Sequence, residues 1–482
     1  MEALDWLVIG VFFLALIGII VWVVRQKQND SADYFLGGRD ATWLAIGASI
    51  FASNIGSEHL IGLAGAGASS GMAMAHWEIQ GWMILILGWV FVPFYSRSMV
   101  YTMPEFLERR YNPQSRTILS VISLVSYVLT KVAVTVYAGG LVFQQVFGIK
   151  ELWGIDFFWI AAIGLVVLTA LYTIFGGMKS VLYTSVLQTP ILLLGSLIIL
   201  VLGFKELGGW DEMMRVCGAV TVNDYGDTMT NLIRSNDDAN FPWLGALIGS
   251  AIIGFWYWCT DQFIVQRVLS GKNEKEARRG TIFGAYLKLL PVFLFLIPGM
   301  IAFALHQKYI GAGGEGFLPM LANGTANADA AFPTLVAKLL PAGVKGLVVC
   351  GILAALMSSL ASLFNSSAML FTIDFYKKYR PKASEKTLLY VGRVATVVVV
   401  VLGILWIPVM KSVGSVLYNY LQDVQSVLAP GIAAAFLLGI CSKKATPKGG
   451  MWGLIAGFII GITRLGAKVY YTSGATFSDS WF

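Results

Sequence analysis

Long apolar runs dominate this chain, and polar residues collect in the segments between them. Twelve of the runs are long enough for an α-helix to cross a bilayer, which takes roughly 20 residues. A mean hydropathy of +0.72 and a hydrophobic fraction of 57% exclude a soluble domain, so we predict an all-α polytopic membrane protein. The predicted spans lie near residues 4–24, 42–68, 79–96, 117–147, 156–174, 179–203, 242–262, 278–306, 343–376, 387–409, 415–440 and 449–469.

Lys and Arg residues collect in alternate connecting segments. Clusters at Arg109-Arg110, Arg278-Arg279 and Lys377-Lys378 fall on the same side when the chain is threaded through the predicted spans. Cytoplasmic loops carry such an excess, so we expect a plasma (cytoplasmic) membrane protein with both ends of this chain outside. Because the basic residues are segregated by loop, the net charge of +7 does not indicate nucleic-acid binding.

The second predicted span is interrupted by Asn54-Ile55-Gly56-Ser57. A helix break at bilayer depth leaves backbone carbonyls without partners, which is tolerated only where the backbone is buried in protein or lines a cavity. Broken helices of this kind mark ion and solute sites in secondary transporters. The seventh span, five spans later, carries Gly254 and the polar cluster from Tyr257 to Asp261. Two interrupted spans at this spacing indicate two inverted five-helix units with the site between them.

These assignments give one transporter domain over the whole chain. Its predicted parts are an extra N-terminal helix at 4–24, a first repeat at 42–203, a second repeat at 242–440 and an additional helix at 449–469, within a domain of 1–482.

Polar side chains at membrane depth are costly and are functional suspects by default. For any one of them, a hydrogen bond or a salt bridge between spans is the simpler explanation, but the set concentrates on a few spans. Glu78 needs a partner, and Lys288 is the expected one; the role of Lys131 stays open between an inter-helix pairing and the ion path. The set comprises Asn54, Glu58, His59, Glu78, Lys131, Tyr257, Asp261, Lys288, Ser358, Ser359, Gln422 and Asp423.

Ser358 and Ser359 lie in a run of small residues in the ninth span. Close helix packing explains the alanines of this run. The hydroxyls have a second possible use, because a hard cation prefers oxygen ligands and a facing broken helix would supply carbonyls. No nucleophile–base pair or metal-ligand cluster in the sequence supports an enzyme.

Four segments carry a family resemblance: Phe51–His59, Trp256–Arg267, Ala354–Ser367 and Gly176-Gly177. In these segments the chain resembles the sodium/solute symporter family, and within it the sodium/glucose cotransporters. The resemblance runs in order from about residue 30 to residue 475. It implies a leucine-transporter-like core of five plus five inverted helices. It also implies sodium as the coupling ion, no other cofactor, and a small solute as the partner.

The resemblance assigns three groups of residues. For sodium it implies the carbonyls of Ala52, Ile55 and Ala355 and the hydroxyls of Ser358 and Ser359. For the sugar it implies Asn54, His59, Glu78, Tyr257, Trp258, Lys288 and Gln422. Outer gate positions match Leu63, Trp77 and Tyr418, and Tyr257 also closes the inner side. Without the resemblance, Trp77 and Tyr418 are typical of aromatic residues at the membrane interface.

The expected function is sodium-coupled import of a glucose- or galactose-like hexose by alternating access, with the monomer as the working unit in the bilayer. Ser185 stands where the family commonly has Asp, and Ala361 lacks a hydroxyl found in two-sodium members, so we expect one sodium per sugar. Gly254 replaces a polar residue, so one sugar contact is either missing or remade. The family continues past residue 469 with further helices, which we expect to be peripheral to the core.

Other functions stay open. Within the transporter class the alternatives are myo-inositol, sialic acid, an amino acid or a carboxylate as the solute. From a different class, a membrane nutrient sensor can use the same fold.

Overall fold

The computed structural model describes residues 1–26, 28, 30–56, 58–321, 324–413 and 417–472. Within these ranges, the side chains of 129, 130, 145, 409–413, 417–423, 465 and 468–472 lie outside the description. The first half contains α1 Ala3–Val24, α2 Ser31–Leu36, α3 Trp43–Asn54, α4 Ala64–Ser70, α5 His76–Ile79, α6 Met83–Ile86, α7 Val92–Ser98, α8 Met103–Arg110, α9 Pro113–Ser126, α10 Ala133–Phe147, α11 Phe157–Leu207 and α12 Trp210–Gly218.

The second half continues the helical pattern. It contains α13 Trp243–Gly254, α14 Gln262–Leu269, α15 Glu274–Leu287, α16 Ile297–Gly311, α17 Ala331–Leu339, α18 Val344–Met369, α19 Lys377–Tyr379, α20 Glu385–Val413, α21 Leu417–Cys441 and α22 Pro447–Thr472. Two short strands, β1 Glu151–Leu152 and β2 Ile155–Asp156, pair antiparallel.

Tighter and wider turns join several of these helices into longer spans. The 3₁₀ turns are Gly37–Arg39, Gly71–Ala75, Gln80–Trp82 and Ala328–Ala330. The π-helical segments are Glu58–Leu63, Leu87–Phe91, Tyr127–Val132, Phe255–Thr260, Val292–Leu296 and Leu370–Tyr376. π-Helical segments are often found at functional sites.

In the described part of the chain, helix covers most of each of the twelve predicted spans. Among the described residues, eight helical stretches are long and apolar enough to cross a membrane, and Trp43–Asn54 and Ala133–Gln144 are shorter apolar helices. The fold is therefore the predicted all-α membrane fold. The two long connections between predicted spans, 204–241 and 307–342, contain the amphipathic helices α12 and α17.

The long helix α11 holds two of the predicted spans. Its 51 residues would extend about 75 Å if straight, more than twice the hydrocarbon thickness. The chain turns within it at Gly177, whose φ of 55° and ψ of −149° are left-handed values that favour glycine. A Cβ at Gly177 would lie 2.4 Å from the carbonyl oxygen of Tyr34, so α2 packs directly over this turn.

The N-terminal helix is anchored by its first acidic residue. The Asp5 carboxylate accepts hydrogen bonds from the backbone N–H groups of Gly343 (2.7 Å) and Gly346 (2.8 Å) at the start of α18. These donors belong to the unsatisfied first turn of a helix, where a negative charge is favourable. Asp5 therefore ties the extra N-terminal helix to the serine-bearing helix of the core.

The centre of the bundle is formed by α18, which is buried along nearly its whole length between α3, α11 and α1.

Glycines allow a close approach between the helices α16 and α4. A Cβ at Gly299 on α16 would lie 1.9 Å from the carbonyl oxygen of Ala64 on α4, and one at Gly67 would lie 2.3 Å from the carbonyl oxygen of Leu296. Small residues at such crossings let helix backbones meet in the membrane.

Replacement of Gly299 by alanine tests this crossing. Because the added methyl group would overlap a backbone oxygen, α16 and α4 must separate, and we expect Gly299→Ala to cost about 1–3 kcal/mol of stability. The melting temperature of the purified protein in detergent should fall by several degrees.

Gly164→Ala on α11 is the matched control, since a Cβ there has no heavy atom within 4 Å. Equal melting temperatures for the two variants would contradict the proposed tight contact.

Candidate functional site

The second span is interrupted where the sequence predicts. Helix α3 ends at Asn54, and Ile55 has extended backbone with ψ of 107°. Helical structure resumes at Glu58, where the amides of the next turn bond back to the carbonyl of Gly56 (3.1 Å from His59 N). The interruption frees the carbonyls of the last turn of α3 to face a neighbouring helix. Ser57 lies outside the described residues.

The neighbour that faces the interruption is the serine pair of α18. Ser359 Oγ donates to the carbonyl oxygen of Ser53 at 2.7 Å and lies 3.3 Å from that of Ile55. A Cβ at Gly56 would lie only 2.9 Å from Ser359 Oγ, so the absence of a side chain there permits the approach. Backbone carbonyls and a hydroxyl thus converge at one buried point.

Ser358 points to a different partner. Its hydroxyl lies 3.2 Å from that of Ser185 on α11, and Ser185 Oγ donates to the carbonyl of Val181 at 2.6 Å. Ala52 and Ala355, the other two positions implied for sodium, are buried on α3 and α18. The carbonyl of Ser53 was missed, because the sequence does not show which carbonyl of the last turn a distant hydroxyl will reach.

Among the described residues, no group of three His, Cys, Asp or Glu side chains is placed to hold a metal ion. The oxygens at the helix break are neutral hydroxyls and carbonyls. Such a donor set suits a hard monovalent cation such as sodium.

Three of the predicted solute residues, His59, Glu78 and Lys288, lie within contact distance of one another. Lys288 Nζ lies 2.6 Å from Glu78 Oε2 and 2.8 Å from His59 Nε2. His59 Nε2 in turn lies 3.1 Å from Glu78 Oε1. All three side chains are buried. The short distance between Lys288 Nζ and Glu78 Oε2 confirms the expected pairing of these two residues.

Asn54 and Tyr257 connect the two interrupted spans. Asn54 Nδ2 donates to the Tyr257 hydroxyl at 3.0 Å, while Asn54 Oδ1 has no hydrogen-bond partner among the described residues. Trp258 packs edge-on against Tyr257 with ring centroids 4.9 Å apart, and Lys288 Nζ lies 5.5 Å from its ring. Predicted solute residues from the second, third, seventh and eighth spans therefore meet in one place.

These side chains surround a cavity of about 30 Å³. The lining residues are Asn54, Glu58, His59, Trp77, Glu78, Gln80, Tyr257, Trp258, Lys288 and Gln425. This volume is far below the roughly 300 Å³ or more of a typical small-molecule site, so a solute fits only if the surrounding helices separate.

Two of the three outer gate positions are described, and two predicted site positions have side chains outside the description. Trp77 lines the cavity, and Leu63 is fully buried in the π-helical segment that follows the interruption. The side chains of Tyr418 and Gln422 lie outside the described residues.

The structure adds lining residues that the resemblance did not assign. Glu58 is among the polar side chains that the sequence places at membrane depth, but Gln80 and Gln425 are not in that set. Positions 78 and 80 would face different sides of a regular α-helix. Gln80 begins the 3₁₀ turn Gln80–Trp82, and both side chains nonetheless line the cavity.

The second interruption lies at Asp261, the last residue of the predicted polar cluster, while Gly254 is helical. Asp261 has extended backbone (ψ 128°) and caps α14 by accepting from the N–H of Phe263. Its carboxylate also pairs with Lys131 Nζ at 2.8 Å and accepts from the Tyr127 hydroxyl. Of the two roles left open for Lys131, the structure supports the inter-helix pairing.

Lys131 also lies against the ring of Tyr257, one of the residues predicted to contact the solute. Its ammonium lies 4.5 Å from the ring centroid of Tyr257 and 4.8 Å from that of Phe263. Cations at this distance from aromatic faces are attracted to the ring. The Lys131–Asp261 ion pair therefore fixes the backbone break and the adjacent aromatic side chain together.

Arg267 brings a further buried charge close to the first interruption. Its Nε donates to Ser53 Oγ at 3.0 Å, and Ser53 Oγ lies 2.7 Å from Ser362 Oγ. The two terminal nitrogens of Arg267 have no hydrogen-bond partner among the described residues. The guanidinium thus connects α14 to the same turn of α3 whose carbonyls meet Ser359.

Two interrupted spans that meet at a buried polar site define a class of secondary transporter. The family model "Sodium:solute symporter family" matches residues 34–457. The chain belongs to this family.

Curated relatives agree with that assignment, and a solved structure shares the fold. The chain is 39% identical to sodium/glucose cotransporter 1 of Ovis aries, over 99% of this chain and 74% of the relative. It is 38% identical to sodium/myo-inositol cotransporter 2 of Homo sapiens, over 96% of this chain and 70% of the relative. A solved Na⁺-coupled sialic acid symporter in a substrate-bound outward-open state superposes with a TM-score of 0.77. It is 22% identical, with 96% of this chain and 98% of that chain covered.

The Lys131–Asp261 pair generates a stability prediction. Asp261→Asn keeps an oxygen that can cap α14 but removes the charge, which leaves Lys131 buried without its counter-ion. We expect a loss of about 3–5 kcal/mol and a lower melting temperature in detergent.

The double variant Lys131→Met/Asp261→Asn removes both charges and should recover most of the loss. If the single and double variants melt at the same temperature, the ion pair does not carry the stability assigned to it.

Proposed function

We propose that this protein is a sodium-driven symporter that imports a neutral hexose or a similar polyol by alternating access. One observation carries the proposal. The interruption after Asn54 contributes to both halves of the site: carbonyls that meet Ser359 on one side, and Asn54 and His59 in the solute cavity on the other.

Sodium takes the oxygen cluster at the interruption. Ile55 and Ser359 lie within hydrogen-bond distance of each other, and Ser53 adds a carbonyl. The proposed ligand set is Ala52, Ile55, Ala355, Ser358 and Ser359, with Ser53 as a further contributor. Ser185 is neutral and its hydroxyl is bonded to the backbone, which supports one sodium per sugar.

The solute takes the cavity beside Glu78. A sugar hydroxyl both donates and accepts, so it needs both kinds of partner. Lys288 and His59 supply donors, Glu78 and the Asn54 amide oxygen supply acceptors, and Tyr257 and Trp258 supply aromatic rings. Gln422 is proposed as an additional contact on the basis of the family resemblance alone.

Coupling follows from the shared backbone. Sodium bound at the interruption fixes the backbone between Asn54 and Glu58, which places Asn54 and His59 for the solute. Solute bound to those side chains fixes the same backbone for sodium. The two affinities therefore rise together by the same factor.

Transport requires that the small cavity open in turn to each side. We assign this movement to two inverted units, 42–203 and 242–440, with Leu63, Trp77 and Tyr418 on the outer path and Tyr257 on the inner path. Each cycle carries one net charge inward, worth about 2.3 kcal/mol per 100 mV in addition to the sodium gradient. The monomer suffices for this cycle. We place it in the plasma membrane with both described ends outside.

Among alternative solutes, myo-inositol is supported by the similarity to a sodium/myo-inositol cotransporter. A carboxylate is less well supported, because the Lys288 charge is already paired with Glu78. A polyol such as myo-inositol presents the same hydroxyl chemistry as a hexose and would use the same cavity.

Uptake into proteoliposomes tests the function. With an inward sodium gradient, we expect accumulation of labelled D-glucose, D-galactose or myo-inositol, and no accumulation of proline or sialic acid. The accumulation should disappear when choline or potassium replaces sodium. Equal accumulation in all three cations would refute sodium coupling, and uptake of proline or sialic acid alone would refute the polyol assignment.

The serine that meets the interruption generates a specific prediction. Ser359→Ala removes one proposed sodium ligand, so the sodium concentration for half-maximal sugar uptake should rise about tenfold, the equivalent of roughly 1.4 kcal/mol. The sugar KM at saturating sodium should change much less.

Ser366→Ala on the same helix is the control. Its hydroxyl donates to Gln266 Oε1 at 2.7 Å, away from the interruption. We expect its sodium dependence to match the wild type. An unchanged sodium dependence in Ser359→Ala would remove this serine from the site.

A further inference from the structure

The side chain of Gln80 packs directly against Gly254 at the edge of the proposed solute cavity. Gly254 is the last residue of α13, one helical turn before Tyr257, and it faces the third span. A Cβ at Gly254 would lie 2.8 Å from Gln80 Oε1 and 3.2 Å from Met83 Cγ. The Gln80 amide therefore occupies the space that any side chain at position 254 would need.

The Gln80 amide is placed for a ligand. Gln80 is only 9% exposed and lines the cavity with Asn54, Glu78 and Tyr257. Its Oε1 is buried and has no hydrogen-bond partner among the described residues. A buried acceptor without a donor is costly, so a donor that enters the cavity would be bound preferentially.

The carboxylate of Glu78 is already engaged. Glu78 Oε2 faces Lys288, and Glu78 Oε1 faces His59. The Gln80 and Asn54 amide oxygens are buried cavity acceptors that have no partner among the described residues. A hydroxyl of the solute can reach Gln80 without breaking an ion pair.

We infer that Gln80, held over Gly254, is a specificity-determining residue that accepts a hydrogen bond from one hydroxyl of the transported polyol. The inference rests on the proposed function and extends it. The glycine is part of the subsite, since a larger residue at 254 would displace the amide from the cavity edge. Gln80, on the third span, then supplies the polar contact to the solute that a glycine at position 254 cannot supply.

A purely structural role for Gln80 makes a different prediction. If its amide only fills the gap between α13 and the third span, replacing it should alter stability or affect all substrates alike. Selectivity for one particular hydroxyl would then be unchanged. The two roles can therefore be separated by substrates that lack single hydroxyl groups.

The experiment uses the full chain in proteoliposomes with an inward sodium gradient. The probes are D-glucose and its 2-, 3-, 4- and 6-deoxy analogues, or myo-inositol and its monodeoxy analogues if myo-inositol is the solute that the wild type accumulates. In the wild type, we expect the loss of one particular hydroxyl to raise KM about three- to tenfold. In Gln80→Leu, the parent sugar should lose affinity by a similar factor, and the penalty for that one deoxy analogue should disappear.

Gly254→Ala should produce the same loss of discrimination, because its methyl group moves the amide without removing it. Gly249→Ala is the control on the same helix, since a Cβ there has no heavy atom within 4 Å. We expect it to keep the wild-type profile. At saturating sugar, the sodium concentration for half-maximal uptake should stay unchanged in Gln80→Leu, which separates this effect from damage to the sodium site.

Two results would overturn the inference while the proposed function stands. One is wild-type discrimination among the deoxy analogues in Gln80→Leu. The other is an equal loss for every analogue, which would indicate packing only. If the wild type accumulates no polyol with sodium, the proposed function itself fails.

Discussion

The contact between the interrupted second span and Ser359 is the constraint on which the rest of this structure depends. Backbone carbonyls without partners are costly in a membrane, so a broken helix persists only if protein surrounds it. The serine-bearing helix α18 meets this need, since Ser359 donates to a carbonyl at the end of α3. The burial of α18 and the close approach at Gly56 follow from the same requirement.

The interruption also explains why the proposed ion and solute sites lie side by side. Helix α3 ends at Asn54, and Ile55 has extended backbone. The π-helical segment Glu58–Leu63, which carries His59, begins a few residues later. Oxygens on one side of it suit sodium, and polar side chains on the other side suit a polyol. A ligand on either side restrains the same few backbone angles, which is the physical basis of the proposed coupling.

Two pairs of buried charges join distant parts of the chain. Lys288 with Glu78 connects the third and eighth spans, and Lys131 with Asp261 connects the fourth and seventh. Breaking such a pair leaves an uncompensated charge in the membrane, while the intact pair fixes which helices adjoin. The second pair lies against Tyr257, an aromatic wall of the proposed solute cavity, beside the second interruption.

Local chemistry along the chain was enough to predict the twelve spans, the break after Asn54 and the partnership of Glu78 with Lys288. These features follow from the cost of placing polar groups in hydrocarbon, which each segment reveals independently of its neighbours. Other features depended on three-dimensional packing. The pairing of Asp261 with Lys131, the contribution of the Ser53 carbonyl and the entry of Gln80 into the cavity arise from helix phases and crossings. A 3₁₀ turn or a π-helical segment shifts which side chain faces inward, and residues more than a hundred positions apart must meet before a contact exists.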